Sequence, residues 1–112
     1  MQMFVLVLNR TEYLDKLLTR MSESGINGAT VLDSRGMARI LCDEDTPMFG
    51  TLRSMLNPER RVSKTVFVVL EDDQVMLARR IVNEVTGGLD APDTGIMFST
   101  PVLFAEGLVK RK

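Results

Sequence analysis

The side chains that could do chemistry in this chain are nearly all carboxylates, and they fall in three places. Asp43, Glu44 and Asp45 are consecutive, Glu71, Asp72 and Asp73 are consecutive, and Asp93 stands in the turn-rich stretch Leu89 to Gly95. A carboxylate can act as a general acid or base or ligate a divalent cation, but each use needs further groups placed around it. The chain offers few. It has no histidine and one cysteine, Cys42, which excludes imidazole-based triads, histidine metal sites, structural zinc and an intrachain disulfide. It has no GxxxxGK[ST] loop, which excludes the P-loop nucleotide hydrolases. The ordinary reading of the first acidic cluster is a solvated loop. That of the second is a helix N-terminus, where the dipole favours negative charge. No catalytic constellation is visible.

The elements that would position any site are organised around Gly25 to Gly36, GINGATVLDSRG. Gly25 sits where a helix should stop, because a residue without Cβ takes the left-handed conformation at no steric cost. Gly28 gives a second turn, Thr30 to Ser34 reads as a strand, and Gly36 ends it. A glycine at a strand end can let a ligand approach the backbone, although a plain turn is the commoner reason. Before this stretch, Met3 to Leu8 is a short apolar run of strand formers. Asn9 with Glu12 three residues on is a helix-start pattern. Leu14, Leu17, Leu18 and Met21 then recur with helical spacing up to about Ser24.

From Met37 to Lys64 the periodicity is lost, apart from a short amphipathic helix over 47–56. Thr46-Pro47 would begin it, and Phe49, Leu52 and Met55 would form its apolar face. A connection this long inside a compact domain is usually functional or disordered. Thr65 to Leu70 is the third strand. Val75, Ala78, Ile81, Val82 and Val85 give a second helical stripe, ended at Thr86-Gly87-Gly88. Ile96 to Thr100 is the fourth strand, and Pro101 places its end there or at a sheet edge. Val102 to Phe104 reads as a short extra strand.

The order is β-α-β, a long connection, then β-α-β. It predicts an α+β ferredoxin-like sandwich, an antiparallel four-stranded sheet with two helices on one face, in a single domain spanning 1–112 with a long loop over 37–64. Phe4 to Leu8 and Val66 to Leu70 are apolar on both faces, so the helix-free face is expected to be covered by other subunits. The net charge of −1 argues against sequence-independent nucleic-acid binding. No apolar run approaches the roughly 20 residues of a membrane span. The N-terminus MQMFVLVLNR reads as a strand rather than a signal peptide, and a lone cysteine fits a reducing, cytoplasmic setting. Eight methionines are many for this length, and most are expected to fill core gaps.

Three stretches resemble the PII (nitrogen-regulatory) signal-transduction family: GINGATVLDSRGMAR (Gly25 to Arg39), TVFVVLEDDQV (Thr65 to Val75) and TGGLDAPDTGIMF (Thr86 to Phe98). Their order and spacing cover nearly the whole chain. The resemblance implies a homotrimer with small-effector sites in the clefts between subunits, an adenine nucleotide being the first candidate effector. Each cleft would be walled by Gly36, Met37, Ala38 and Arg39, with Thr30 on the strand beneath. Gly87, Gly88, Asp93, Thr94 and Gly95 would form the other side, since backbone N–H groups in such turns can cradle an anion. The long loop would dock on a protein partner such as a membrane transporter or a metabolic enzyme. Members carry a lysine just before the fourth strand, where this chain has Gly95 or Ile96. The family's paired arginines of the last segment are absent too, and Lys110, Arg111 and Lys112 are the cations offered in place of these phosphate-contacting residues. The family's modifiable loop tyrosine is absent, since Tyr13 in the first helix is the chain's one tyrosine, and Ile40 follows Arg39 where members often have glutamine. The chain therefore reads as a divergent member with a changed ligand site.

Three functions follow. The first is a non-catalytic sensor whose effector sets the conformation of residues 37–64. The second is a ligand-free trimeric interaction module. The third is an enzyme that binds a cation through Asp43, Asp45 and Asp93; without a histidine or a placed nucleophile, it ranks last.

Overall fold

The computed structural model describes residues 1–43 and 62–108. Strand β1 (Gln2–Leu8) leads through a 3₁₀ turn (Thr11–Tyr13) into helix α1 (Leu14–Glu23), then strand β2 (Thr30–Ser34) and helix α2 (Met37–Asp43). Strand β3 (Ser63–Leu70), helix α3 (Asp72–Thr86) and strand β4 (Gly95–Pro101) complete the order. The helix expected over 47–56, Glu44 and Asp45 of the acidic cluster, and Lys110, Arg111 and Lys112 lie outside the described residues. No helix among the described residues is long and apolar enough to cross a membrane.

The four strands form one antiparallel sheet in the order β2-β3-β1-β4, so the chain is an α+β fold. β1 lies inside the sheet and pairs along its whole length with both β3 and β4, with Phe4 opposite Val68 and Ser99, and Leu6 opposite Val66 and Met97. Side chains alternate between faces along a strand. Phe4, Leu6, Leu8, Val66, Val68 and Leu70 therefore share one face, and they form a single core with Leu17 and Met21 of α1 and with Val75, Ala78, Ile81, Val82 and Val85 of α3. The two expected helical stripes are the stripes that the core buries.

The end of α1 follows from its sequence. The Ile26 N–H bonds the Met21 carbonyl at 2.8 Å and the Gly25 N–H bonds the Ser22 carbonyl at 3.0 Å. Gly25 is left-handed at φ 90. This is a Schellman motif, closed by contact between the apolar residues that flank it. Here those are Met21 and Ile26, both buried. At the start of α3, the Gln74 side-chain carbonyl accepts the Glu71 N–H at 3.1 Å, while Asp72 and Asp73 occupy the first turn. The second acidic cluster thus sits at a helix start, as its ordinary reading has it.

Three expectations are corrected. Asn9 does not cap α1; its carbonyl accepts the Thr11 N–H at 3.1 Å and the chain makes a 3₁₀ turn first. The connection after Gly36 is not without pattern, because Met37–Asp43 is helical and its first turn closes with the Ile40 N–H on the Gly36 carbonyl at 3.0 Å. Met, Ala, Arg and Leu are all good helix formers, which accounts for this turn even without an amphipathic repeat. Val102 to Phe104 is not a strand: the Val102 N–H bonds the Met1 carbonyl at 3.1 Å, but Leu103 and Phe104 then stand exposed. β4 is an edge strand that ends at Pro101, which accords with a residue that cannot donate to a ladder.

Candidate functional site

One end of the sheet gathers most of the nominated residues. β1 leaves the sheet there at Leu8, β2 leaves at Ser34, and β3 and β4 enter at Ser63 and Gly95; Leu8 pairs with Lys64 and Gly95, and Ser34 pairs with Ser63. α2 follows β2 at this end, and the Gly87 to Thr94 turn arrives there from α3. The consequence is a contact that the linear sequence does not reveal. Arg39 Nη2 of α2 lies 3.5 Å from Asp93 Oδ2, with the two side chains only 14% and 9% exposed. The distance exceeds the roughly 2.7–2.9 Å of a tight charge-assisted hydrogen bond, while the burial shields the pair from solvent screening.

The turn that carries Asp93 is held from several sides. The Thr94 carbonyl accepts the Asn9 N–H at 2.9 Å and the Arg10 N–H at 3.4 Å. The Thr94 hydroxyl donates to the Ala91 carbonyl at 2.7 Å, and the residue is 1% exposed. Asp93 is left-handed at φ 57, a conformation that Asp tolerates better than most residues. Gly95 is extended with positive φ, 155, and a Cβ there would overlap the Val7 carbonyl oxygen. That glycine is required by close approach between β4 and β1, not by a turn. Thr94 and Gly95 therefore build the turn.

The remaining nominated residues divide. Gly36 and Met37 are exposed, with Met37 at 77%, and Ala38 is half-buried. Gly87 and Gly88 are left-handed, but their N–H groups are already used: Gly87 donates to the Asn83 carbonyl at 2.9 Å and Gly88 to the Thr86 hydroxyl at 3.2 Å. The anion cradle expected of them would have to be assembled from other donors. Thr30 is exposed on edge strand β2, with β3 and β1 between it and β4, so within one chain it does not join Asp93 and Gly95. Among the described residues, no three His, Cys, Asp or Glu side chains gather as metal ligands.

Two features escaped the sequence. Ser34 Oγ lies 2.7 Å from both Ser63 Oγ and Thr65 Oγ1, a hydroxyl cluster closing the β2–β3 end of the sheet. The other is Arg10. Its Nη2 donates to the Pro92 carbonyl at 3.4 Å, and its Nε is buried with no hydrogen-bond partner. A buried donor left without an acceptor costs roughly 1–3 kcal/mol. No spacing rule marks Arg10, because it reaches Pro92 across the sheet end rather than along an element. A groove of about 410 Å³ between α3 and β4, lined by Phe4, Val75, Met76, Arg79 and Met97 among others, shares no residue with the nominated set.

Electrostatics distinguish the opposite end of the sheet as well. The Gln2 amide and the Met1 ammonium both donate to Asp72 Oδ1, at 3.0 and 3.1 Å. The Gln2 hydrogen bond first, then the bond and charge of the terminal ammonium, hold the Asp72 carboxyl below its ordinary value. These groups are exposed and tie β1 to the start of α3. No protein-family model matches the chain, and no curated protein matches it either.

Proposed function

We propose that this chain is a divergent PII-like signal-transduction protein with a ferredoxin-like sandwich, working as a cytoplasmic homotrimer that binds a small anionic effector between subunits. An adenine nucleotide is the first effector to test. The effector sets the conformation of the connection over 37–64, and that connection engages a partner such as a transporter or a metabolic enzyme. The protein acts by binding, not by catalysis. The strand order β2-β3-β1-β4, with α1 and α3 on one face, supports the fold assignment. The exposed apolar residues of the helix-free face, Leu32, Ile96 and Phe98, support assembly.

The observation that carries the functional reading is the Arg39–Asp93 ion pair. It joins two stretches that the resemblance puts on opposite walls of one site, and it fastens the beginning of the long connection to the turn before β4. An anion that competes with Asp93 for Arg39 would have different affinities for the fastened and released states, which is what a switch requires. A thermal-shift titration tests this, using ATP, ADP, AMP, cyclic nucleotides, 2-oxoglutarate and bicarbonate, with and without magnesium. A saturable rise in melting temperature is expected from one of them, since a ligand at a hundred times its dissociation constant stabilises the folded state by roughly 2.7 kcal/mol. A flat response to the whole panel would count against an effector. The second reading, a ligand-free trimeric module, draws on Gly87 and Gly88, whose N–H groups the chain has already engaged.

A further inference from the structure

We propose that Arg10 is a second anion-binding residue of this site, and that it and Arg39 together take one phosphoryl-class oxyanion at the Pro92–Thr94 turn. This rests on the effector reading above and adds to it a residue that neither spacing nor resemblance nominates. The backbone of Arg10 is fixed: its N–H bonds the Thr94 carbonyl and its carbonyl accepts the Tyr13 N–H at 3.2 Å. The side chain therefore leaves from an anchored point.

Its guanidinium already lies against an oxygen, but poorly. The 3.4 Å contact from Nη2 to the Pro92 carbonyl is long for a charged donor, and Nε has no acceptor among the described residues. Nε–H and one Nη–H form the straight edge of the guanidinium, the edge that meets two oxygens of a carboxylate or phosphate side by side. Arg10 thus has a two-pronged donor edge of which one prong makes a long contact and the other makes none. Arg39 approaches the very next residue, Asp93. A tetrahedral oxyanion carries enough oxygens to accept from both arginines, which a single planar carboxylate does less well. Nε is buried, so an oxyanion reaches it only when the groups over it move aside, and an oxyanion that takes Nη2 competes with the Pro92 carbonyl. The next residue of that turn, Asp93, is the one that holds α2 through Arg39.

The test is calorimetric titration of inorganic tripolyphosphate into the whole protein and into Arg10→Ala, Arg10→Lys and Arg39→Ala, each checked for folding by circular dichroism. The wild-type protein is expected to bind. Arg10→Ala should weaken binding about tenfold or more, the effect of losing one charge-assisted contact, and Arg10→Lys should recover only part, because an ammonium lacks the fork. Wild-type affinity in Arg10→Ala, with loss in Arg39→Ala, overturns the role of Arg10 and leaves the effector reading standing. Full affinity in Arg10→Lys overturns the fork, and this outcome decides the matter if the alanine variant does not fold. A wild-type protein that ignores tripolyphosphate overturns the shared oxyanion site, whereas the effector reading falls only if the thermal-shift panel is flat as well.

Discussion

The two faces of the sheet are made by the same strands and have opposite fates. On the face that meets α1 and α3, Leu6 is 0% exposed and Phe4 is 1% exposed. On the other face, one register row runs from Phe98 through Val5 and Phe67 to Thr30, and the next from Ile96 through Val7 and Thr65 to Leu32. Its outer members remain open: Phe98 is 50% exposed, Ile96 59% and Leu32 51%. Val5 in the middle of this face is buried, flanked by Phe67 and Phe98. The contrast separates two jobs that an apolar strand residue can have. One face stabilises the chain by itself. The other holds apolar surface whose burial would have to come from outside the chain, and its value depends on protein concentration.

Substitutions that strike one face at a time sharpen the contrast. The largest effect is expected for Leu6→Ala, which removes a fully buried side chain and should cost about 2–5 kcal/mol. Denaturant unfolding should show this as a lower midpoint at any protein concentration. Phe98→Asp should cost an isolated protomer less, on the order of 1 kcal/mol, because half of that side chain is already in water. Given the proposed trimer, its main effect should appear in sedimentation, where the variant runs as a folded monomer while the wild-type protein runs as an assembly. A variant that keeps its mass would break the comparison and leave the second face without a partner. The smallest effect is expected at the rim. Asp72 has its carboxyl held low, so its contribution is fully present above the ordinary carboxylate value and is lost as pH falls through the depressed value in the folded state. The melting-temperature difference between wild type and Asp72→Asn should therefore be slight at neutral pH and vanish in strong acid, with neither face affected.

Much of this was legible in the residues. Leu17 and Met21 in α1, and Val75, Ala78, Ile81, Val82 and Val85 in α3, were marked by helical spacing, and all are buried. Gly25 was marked as a stop because nothing else tolerates its backbone so easily, and Pro101 as a strand end because it cannot donate. The site was legible only as separate stretches. Spacing says nothing about which strand ends coincide, and it is the pairing of β1 with β3 and β4, and of β3 with β2, that brings the region of Arg10, α2 and the Asp93 turn together. Thr94 was nominated for a ligand yet is enclosed, since a threonine that holds a turn and one that offers its hydroxyl outward look alike in a sequence. Arg10 carries no mark in the sequence, because its contact with Pro92 spans 82 residues.

The position of β1 also has a consequence for biosynthesis. It is the earliest-made of the four described strands, yet its neighbours in the sheet are β3 and β4, the two made latest among them. Until residue 70 has emerged, the run Phe4 to Leu8 has neither neighbour, and until residue 101 has emerged one of its edges still has unsatisfied ladder groups. Pairings between distant segments form slowly, and exposed strand edges are what nascent chains aggregate through. Production of this protein is therefore expected to depend on holdase capacity during translation, and slow or truncated synthesis should deposit it as inclusions even though the finished fold closes over that strand on both sides.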